Sequence, residues 1–218
     1  MKVVCLSASN IAHQSTENSI SYRFCRTALD EMTQKEKGIT GEIIELKNRL
    51  IQPCTGCGGC FNSHRCVADD DFNNIYTKLI GADVVLIVSP HYAPIPAKLA
   101  ALLEKMEQIT YLRWGRDTSY QSEVFGTPTG VISHGGGGPQ MQNNYKGMVN
   151  DTIADALEII QMKLIPYNSE WDTGIIIPVQ KAAFHEDGIF PIQEYDWNSV
   201  SNTISEYMDK IIMALREM

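Results

Sequence analysis

Four of the six cysteines fall in one short segment, Cys54, Cys57, Cys60 and Cys66, with the spacing C-x2-C-x2-C-x5-C. Two-residue gaps let successive thiolates turn toward one centre, and Gly56, Gly58 and Gly59 permit the tight turns this requires. Four thiolates complete the ligand set of a [4Fe–4S] cluster or of zinc. Zinc ribbons pair two C-x2-C knuckles across a longer gap, so three cysteines in one run favour iron–sulfur, with His64 as a spare ligand. The alternative is a set of free or disulfide-paired thiols, the state left when a labile cluster is oxidised. Cys5, in an apolar run, and Cys25, in a helical pattern, read as buried small hydrophobes.

Three further segments carry residues suited to holding a ligand. Ser7-Ala8-Ser9-Asn10 leads through a polar stretch to Asn18-Ser19, where a helix opens. Hydroxyls and amides at a helix N-terminus suit a phosphate, although the same residues also make an ordinary capping turn. The segment has no lysine or arginine and matches neither a Walker A loop nor a GxGxxG fingerprint. Ser89-Pro90-His91-Tyr92-Ala93-Pro94-Ile95-Pro96 is stiffened by three prolines and presents Tyr92 for stacking on a planar ring. Ser133-His134 runs into Gly135, Gly136, Gly137 and Gly138, a backbone able to approach a ligand closely. His91 and His134 fit as proton donors or ring contacts, although a lone histidine near a strand end is more often structural or solvated.

The elements that must position these loops alternate in type. Apolar, β-branched runs at 3–6, 43–46, 84–88 and 129–133 read as buried strands. Helical spacing covers 19–36, 72–80, 97–109, 140–162 and 198–217, with Asp69, Asp70 and Asp71 at the start of the second and Gly147 a weak point in the fourth. A last strand comes from 164–167 or 174–179, and 111–127 reads as a polar surface excursion. Strands alternating with helices give an α/β fold with a doubly wound parallel sheet and helices on both faces. Ligands in such a sheet bind outside the carboxyl ends of the strands, where all of these loops lie.

At 218 residues the chain is expected to form a single domain over 1–218, with the cysteine loop at 53–66 an excursion from it. A net charge of −8 argues against nucleic acid and against a polybasic membrane anchor. The first residues lack the basic and apolar regions of a signal peptide, and no apolar run reaches the roughly 20 residues of a spanning helix, so a cytoplasmic protein is expected.

In their order along the first 140 or so residues, these motifs resemble the NADPH-dependent FMN reductase and iron–sulfur flavoprotein group of the flavodoxin-like superfamily. The match comprises a first-strand Ser/Asn loop, a compact cysteine motif leading to Asp70-Asp71, a Ser-Pro-x-Tyr loop and a glycine-rich loop. The resemblance implies a sheet of order 2-1-3-4-5, FMN across its carboxyl edge, and a homodimer or homotetramer. It assigns Ser9, Asn18 and Ser19 to the phosphate, Pro90, His91, Tyr92 and Ala93 to the isoalloxazine, and Gly135, Gly136 and Gly137, following Ser133, to the third contact. It assigns the four cysteines to a cluster. It implies a flavin oxidoreductase drawing electrons from NAD(P)H or ferredoxin, with the flavin doing the chemistry and no protein acid or base. The alternatives are an NAD(P)H-dependent FMN or quinone reductase without a cluster, a non-catalytic electron carrier, and a zinc-stabilised binding module. The chain departs from the family pattern with Ala8-Ser9-Asn10-Ile11 where Gly-Ser-Pro-Arg is usual, with Pro94 for a glycine and with Ala100 for a lysine.

Overall fold

The computed structural model describes residues 1–12, 14–92, 94–135, 137–183 and 192–217. Strands β1 (Lys2–Ser7), β2 (Thr40–Glu45), β3 (Val84–Pro90) and β4 (Pro128–His134) pair in parallel in the order β2-β1-β3-β4. The fifth position is shared. Lys163–Leu164 (β5) pairs with Pro128 and Thr129, and Ile175–Ile177 (β6) pairs with Ile132 to His134. Both segments offered as the last strand therefore contribute. The interruption has a local cause. The Ile165 amide still bonds to Thr129, but Pro166 has no N–H to continue the ladder. The chain returns at Gly174, whose φ of +114° and approach to the Val131 carbonyl exclude a side chain. The expected order 2-1-3-4-5 is observed.

Alternation along the strands divides the core into two layers. Val4, Leu6, Val85 and Ile87 pack with helices α3 (Asp70–Ile80), α4 (Ala97–Trp114) and α6 (Asp151–Ile160). Val3, Cys5, Val84, Leu86 and Val88 pack with α1 (Ile20–Lys35) and α7 (Trp197–Arg216). Strands buried on both faces account for the unbroken apolar runs. Cys5 and Cys25 are fully buried, as expected. On α7, Val200, Ile204, Met208 and Ile211 are buried, and Leu215 packs at the edge of that layer.

Two helices differ from expectation. The helix expected over 97–109 does not stop near Ile109, because α4 runs to Trp114, so 111–114 do not belong to the excursion. Arg113 is buried, and its guanidinium donates to the carbonyls of Ile109, Cys60 and Phe61, so tertiary contacts carry the last turn. The expected helix over 140–162 is broken into a 3-10 turn at Pro139–Met141, α5 (Gln142–Tyr145), a π-helical turn at Lys146–Asn150 and α6. The wider turn contains Gly147 and brings the buried Asn150 to donate to the carbonyls of Thr173 and Ile175. The short helix α2 (Cys60–Ser63) and an antiparallel pair, β7 (Lys181–Ala183) and β8 (Ile192–Glu194), complete the elements. Among the described residues no helix is long and apolar enough to cross a membrane.

Candidate functional site

Three loops meet at the carboxyl ends of β1, β3 and β4. The Ala8 amide donates to the Val88 carbonyl at 2.9 Å, tying the first loop to β3, and the His91 amide donates to the His134 carbonyl at 3.0 Å, tying the second to β4. The cleft between them has a volume of about 560 Å³ and is lined by Ser9, Asn18, Pro90, His91, Tyr92 and Gly135, together with Gln14, Ser21, His134 and Gln193. A cavity of this size suits a cofactor-sized ligand. Two buried polar atoms, His91 Nε2 in its lining and Oδ1 of Asn10 beside Ser9, have no hydrogen-bond partner among the described residues. Buried polar atoms in folded proteins are nearly always satisfied, so these two atoms mark where a ligand's polar groups would be met.

Other expected contacts are placed differently. Ser19 is buried, and its hydroxyl accepts from the Tyr22 amide at 3.4 Å as the N-cap of α1, so its side chain does not line the cleft. Ser133 is buried beneath the cleft with its hydroxyl donated to Asn150. Gly137 faces Met141 and the Tyr145 hydroxyl, and its carbonyl accepts from the Val179 amide. Ala93 and Gly136 lie outside the described residues.

The floor of the cleft holds a buried polar chain that was not visible as a unit in the sequence. Tyr195 Oη donates to Gln193 Oε1 at 3.1 Å, so it accepts from His134 Nδ1 at 3.3 Å, and His134 Nε2 then accepts from the Ser21 hydroxyl at 2.8 Å. This accounting assigns the Nδ1–H tautomer. Burial pulls the His134 pKa down to about 3, so the ring is neutral across the working pH range. Burial also lowers the pKa of His91 and raises that of Tyr92, whose hydroxyl is hydrogen-bonded to Ser9. Gln193 and Tyr195 belong to β8 and its exit, and the Asp187-Gly188 pair between β7 and β8 is the sequence signal that could have pointed to paired strands here.

The four clustered cysteines line one separate cavity of about 440 Å³, with Lys105, Gln108 and Ile109 of α4 on its other wall. All six cysteines are free thiols. Left-handed backbone at Gly56 and Gly58, with φ of +66° and +71°, folds the loop back on itself. The loop is pinned from α3 and α4. The Cys54 amide donates to Glu104, Arg113 donates to the Cys60 and Phe61 carbonyls, and the Asn73 side chain brackets Cys66 by bonding both its amide and its carbonyl. The Gly56 amide points at the Cys54 sulfur at 3.4 Å. Hydrogen bonds from the Gly59 amide and the Thr55 hydroxyl lower the Cys57 pKa, whereas burial raises that of Cys60. Among the described residues no three His, Cys, Asp or Glu side chains converge as they would around a single metal ion. Four cysteines on one cavity are nonetheless the donor set that a [4Fe–4S] cluster takes, each thiolate on a different iron. The donor set, ringed around one cavity, suits the cluster.

A doubly wound sheet of order 2-1-3-4-5 with a ligand-sized cleft across its carboxyl edge defines a flavodoxin-like protein. The fold matches the crystal structure of oxidised flavodoxin 1 from Bacillus cereus with a TM-score of 0.52 at 10% identity, over 98% of each chain. The chain belongs to the NADPH-dependent FMN reductase family, whose model matches residues 1–159. It is 33% identical over 106 residues to an iron–sulfur flavoprotein of Methanosarcina thermophila, covering 48% of this chain and 52% of that protein. It is 30% identical over 106 residues to an iron–sulfur flavoprotein of Methanocaldococcus jannaschii, covering 48% and 51%. The chain thus aligns with about half the length of these curated relatives.

Proposed function

We propose that residues 1–218 form one FMN-binding domain and act as an FMN-dependent oxidoreductase of the iron–sulfur flavoprotein type. The observation that carries this is the cleft itself, where loops from β1, β3 and β4 converge with two buried polar atoms left unpaired among the described residues. Ser9, Asn18 and the amides opening α1 take the phosphate through neutral donors and the helix dipole, and Ser19, whose amide donates to the Thr16 carbonyl, serves the subsite as the N-cap that fixes this helix start. Pro90, His91, Tyr92 and Ala93 run along the ring system, and Gly135, Gly136 and Gly137 offer backbone to its far side. Ser133 acts through Asn150, shaping the floor. Cys54, Cys57, Cys60 and Cys66 hold a [4Fe–4S] cluster. FMN supplies hydride and single-electron chemistry and the cluster single-electron chemistry. The residues position the ring, exclude water and set its hydrogen bonds, and His134, neutral and fully engaged, leaves proton transfer to the flavin and solvent. NAD(P)H or ferredoxin is the electron source. A homodimer or homotetramer in the cytoplasm completes this reading.

Anaerobic purification followed by an absorbance spectrum with flavin and iron assays tests this reading. One FMN and four irons per chain are expected. No flavin band, even after FMN is added, overturns the flavin assignment, and colourless protein with stoichiometric zinc points to a zinc module instead. The match to the NADPH-dependent FMN reductase family model favours a second reading, a cluster-free NAD(P)H-dependent FMN or quinone reductase. It predicts rapid NAD(P)H oxidation with quinone by iron-free protein, whereas an electron carrier oxidises NAD(P)H negligibly and is reduced by ferredoxin.

A further inference from the structure

The loop bearing Ser9 and Asn18 contains no lysine or arginine from Ser7 to Ser19. The structure sets a cation behind it from elsewhere in the chain. Lys47, in the single turn after β2, is 6% exposed. Its Nζ donates to the Gln14 carbonyl at 2.6 Å. Gln14 lines the cleft, and its side-chain amide donates to the Asn18 carbonyl at 2.6 Å. Lys98 of α4 fixes the backbone at this point by donating to the Lys47 carbonyl at 2.8 Å. The continuous path runs from Lys47 through Gln14 to Asn18.

A buried ammonium costs several kcal/mol unless it is compensated. The compensation here is partial in geometry. Lys47 Nζ lies 3.1 Å from Glu45 Oε2, yet that oxygen is buried without a directed hydrogen bond. Glu45 spends its other oxygen on the Thr16 hydroxyl at 2.6 Å and the Asn48 side-chain amide at 3.3 Å. Among the described residues the directed bond of the ammonium goes to the loop, and the carboxylate beside it braces the same loop at Thr16. A charge buried at this depth is screened little by salt, so its field acts on whatever the loop holds.

We propose that Lys47 is the cationic element of the phosphate subsite. It is a positioning residue that holds the arc from Gln14 to Asn18 in its cleft-lining shape, and its charge gives the cleft a preference for a flavin that bears a phosphate over one that lacks it. Glu45 moderates that preference. The inference rests on the FMN reading of the cleft.

Titration of the flavin-free protein with FMN and with riboflavin, followed by quenching of flavin fluorescence, separates charge from shape. Lys47→Met is expected to weaken FMN on the order of tenfold or more while riboflavin changes by about twofold or less, and Lys47→Arg to restore most of the difference. Glu45→Gln removes the countercharge and is expected to tighten FMN relative to riboflavin. Equal losses for both flavins in Lys47→Met, or no loss for either, overturn the proposal. Should Lys47→Met fail to fold, an unchanged FMN-to-riboflavin ratio in Glu45→Gln overturns it. Wild-type protein that binds neither flavin overturns the FMN reading as well, whereas wild type that binds FMN no better than riboflavin overturns this inference alone.

Discussion

His134 has both ring nitrogens engaged and is only 5% exposed, and burial holds its pKa near 3. An unfolded histidine protonates near 6.5. Between about pH 6.5 and 3 the unfolded chain therefore binds the extra proton, so stability is complete above that window and falls as pH drops through it. Urea unfolding at successive pH values is expected to reveal loss beginning near pH 6.5, well above the carboxylate range, with the slope removed in His134→Gln. A wild-type profile flat from pH 6.5 to 4.5 would sink the idea. Asp69 poses the opposite case. Burial pushes its pKa up, but the Lys105 ammonium and the amides of Phe72 and Gln52 outweigh this and hold it below the usual carboxylate value. Its contribution is present above an unfolded pKa of about 3.9 and is lost as pH falls through the lowered folded value. The pair is buried, with side-chain exposures of 5% for Lys105 and 2% for Asp69. Asp69→Asn keeps one acceptor, for the Phe72 amide, but sets its NH2 against the Gln52 amide and strands the ammonium, so a loss of about 3 kcal/mol or more is expected. Adding Lys105→Met recovers most of it if the stranded charge is the cause, and the double-mutant cycle reads this directly.

The elements that sequence alone resolved are those whose signals are local. The β-branched runs of β1 and β3 and the Asp69 and Ser19 caps of α3 and α1 carry their own boundaries to within a few residues. What was missed depends on partners distant in sequence. The last turn of α4 relies on carbonyls of α2, the π-helical turn on the demand of Asn150 for the Thr173 and Ile175 carbonyls, and the β7–β8 hairpin on a cleft it helps to line. The divided fifth strand is a further case, because its second half depends on a glycine meeting β4. A Cβ on Gly174 would stand 2.2 Å from the Val131 carbonyl oxygen at a φ of +114°. Gly174→Ala is expected to cost about 3 kcal/mol or more, through strain and displacement of β6 together. Gly56 offers the internal contrast, since its φ is +66° but nothing lies within 4 Å of the added carbon. Gly56→Ala is expected to cost only about 1–2 kcal/mol of backbone strain. Similar urea midpoints for the two variants would mean that the close approach at Gly174 contributes nothing.

At the scale of the whole molecule, the cleft was legible as three loops in the right order, because each follows an unmistakable strand. Its floor was not legible, because Ser21, His134 and the Gln193–Tyr195 pair come from three separate stretches that only the folded chain brings together. The cation behind the first loop was hidden for the same reason, since Lys47 follows the second strand and nothing nearby in sequence links it to Gln14. A cleft assembled from so many parts exists only in the folded state, and this links flavin binding to global stability. A ligand that binds the folded state alone stabilises it by about 2.7 kcal/mol at a free concentration 100 times its Kd. For a chain of this size, each kcal/mol raises Tm by roughly 2–4 °C. FMN at that excess is therefore expected to raise Tm by roughly 5–11 °C, and differential scanning calorimetry with increasing FMN reads the logarithmic dependence on concentration. The cysteine loop is pinned to α3 and α4 through Asn73, Glu104 and Arg113, and none of these lines the cleft. The FMN-dependent shift should then survive removal of iron with a chelator, reduced by no more than a few degrees. Loss of the whole shift on chelation would mean that loop and cleft form one cooperative unit, contrary to the separate anchoring argued above.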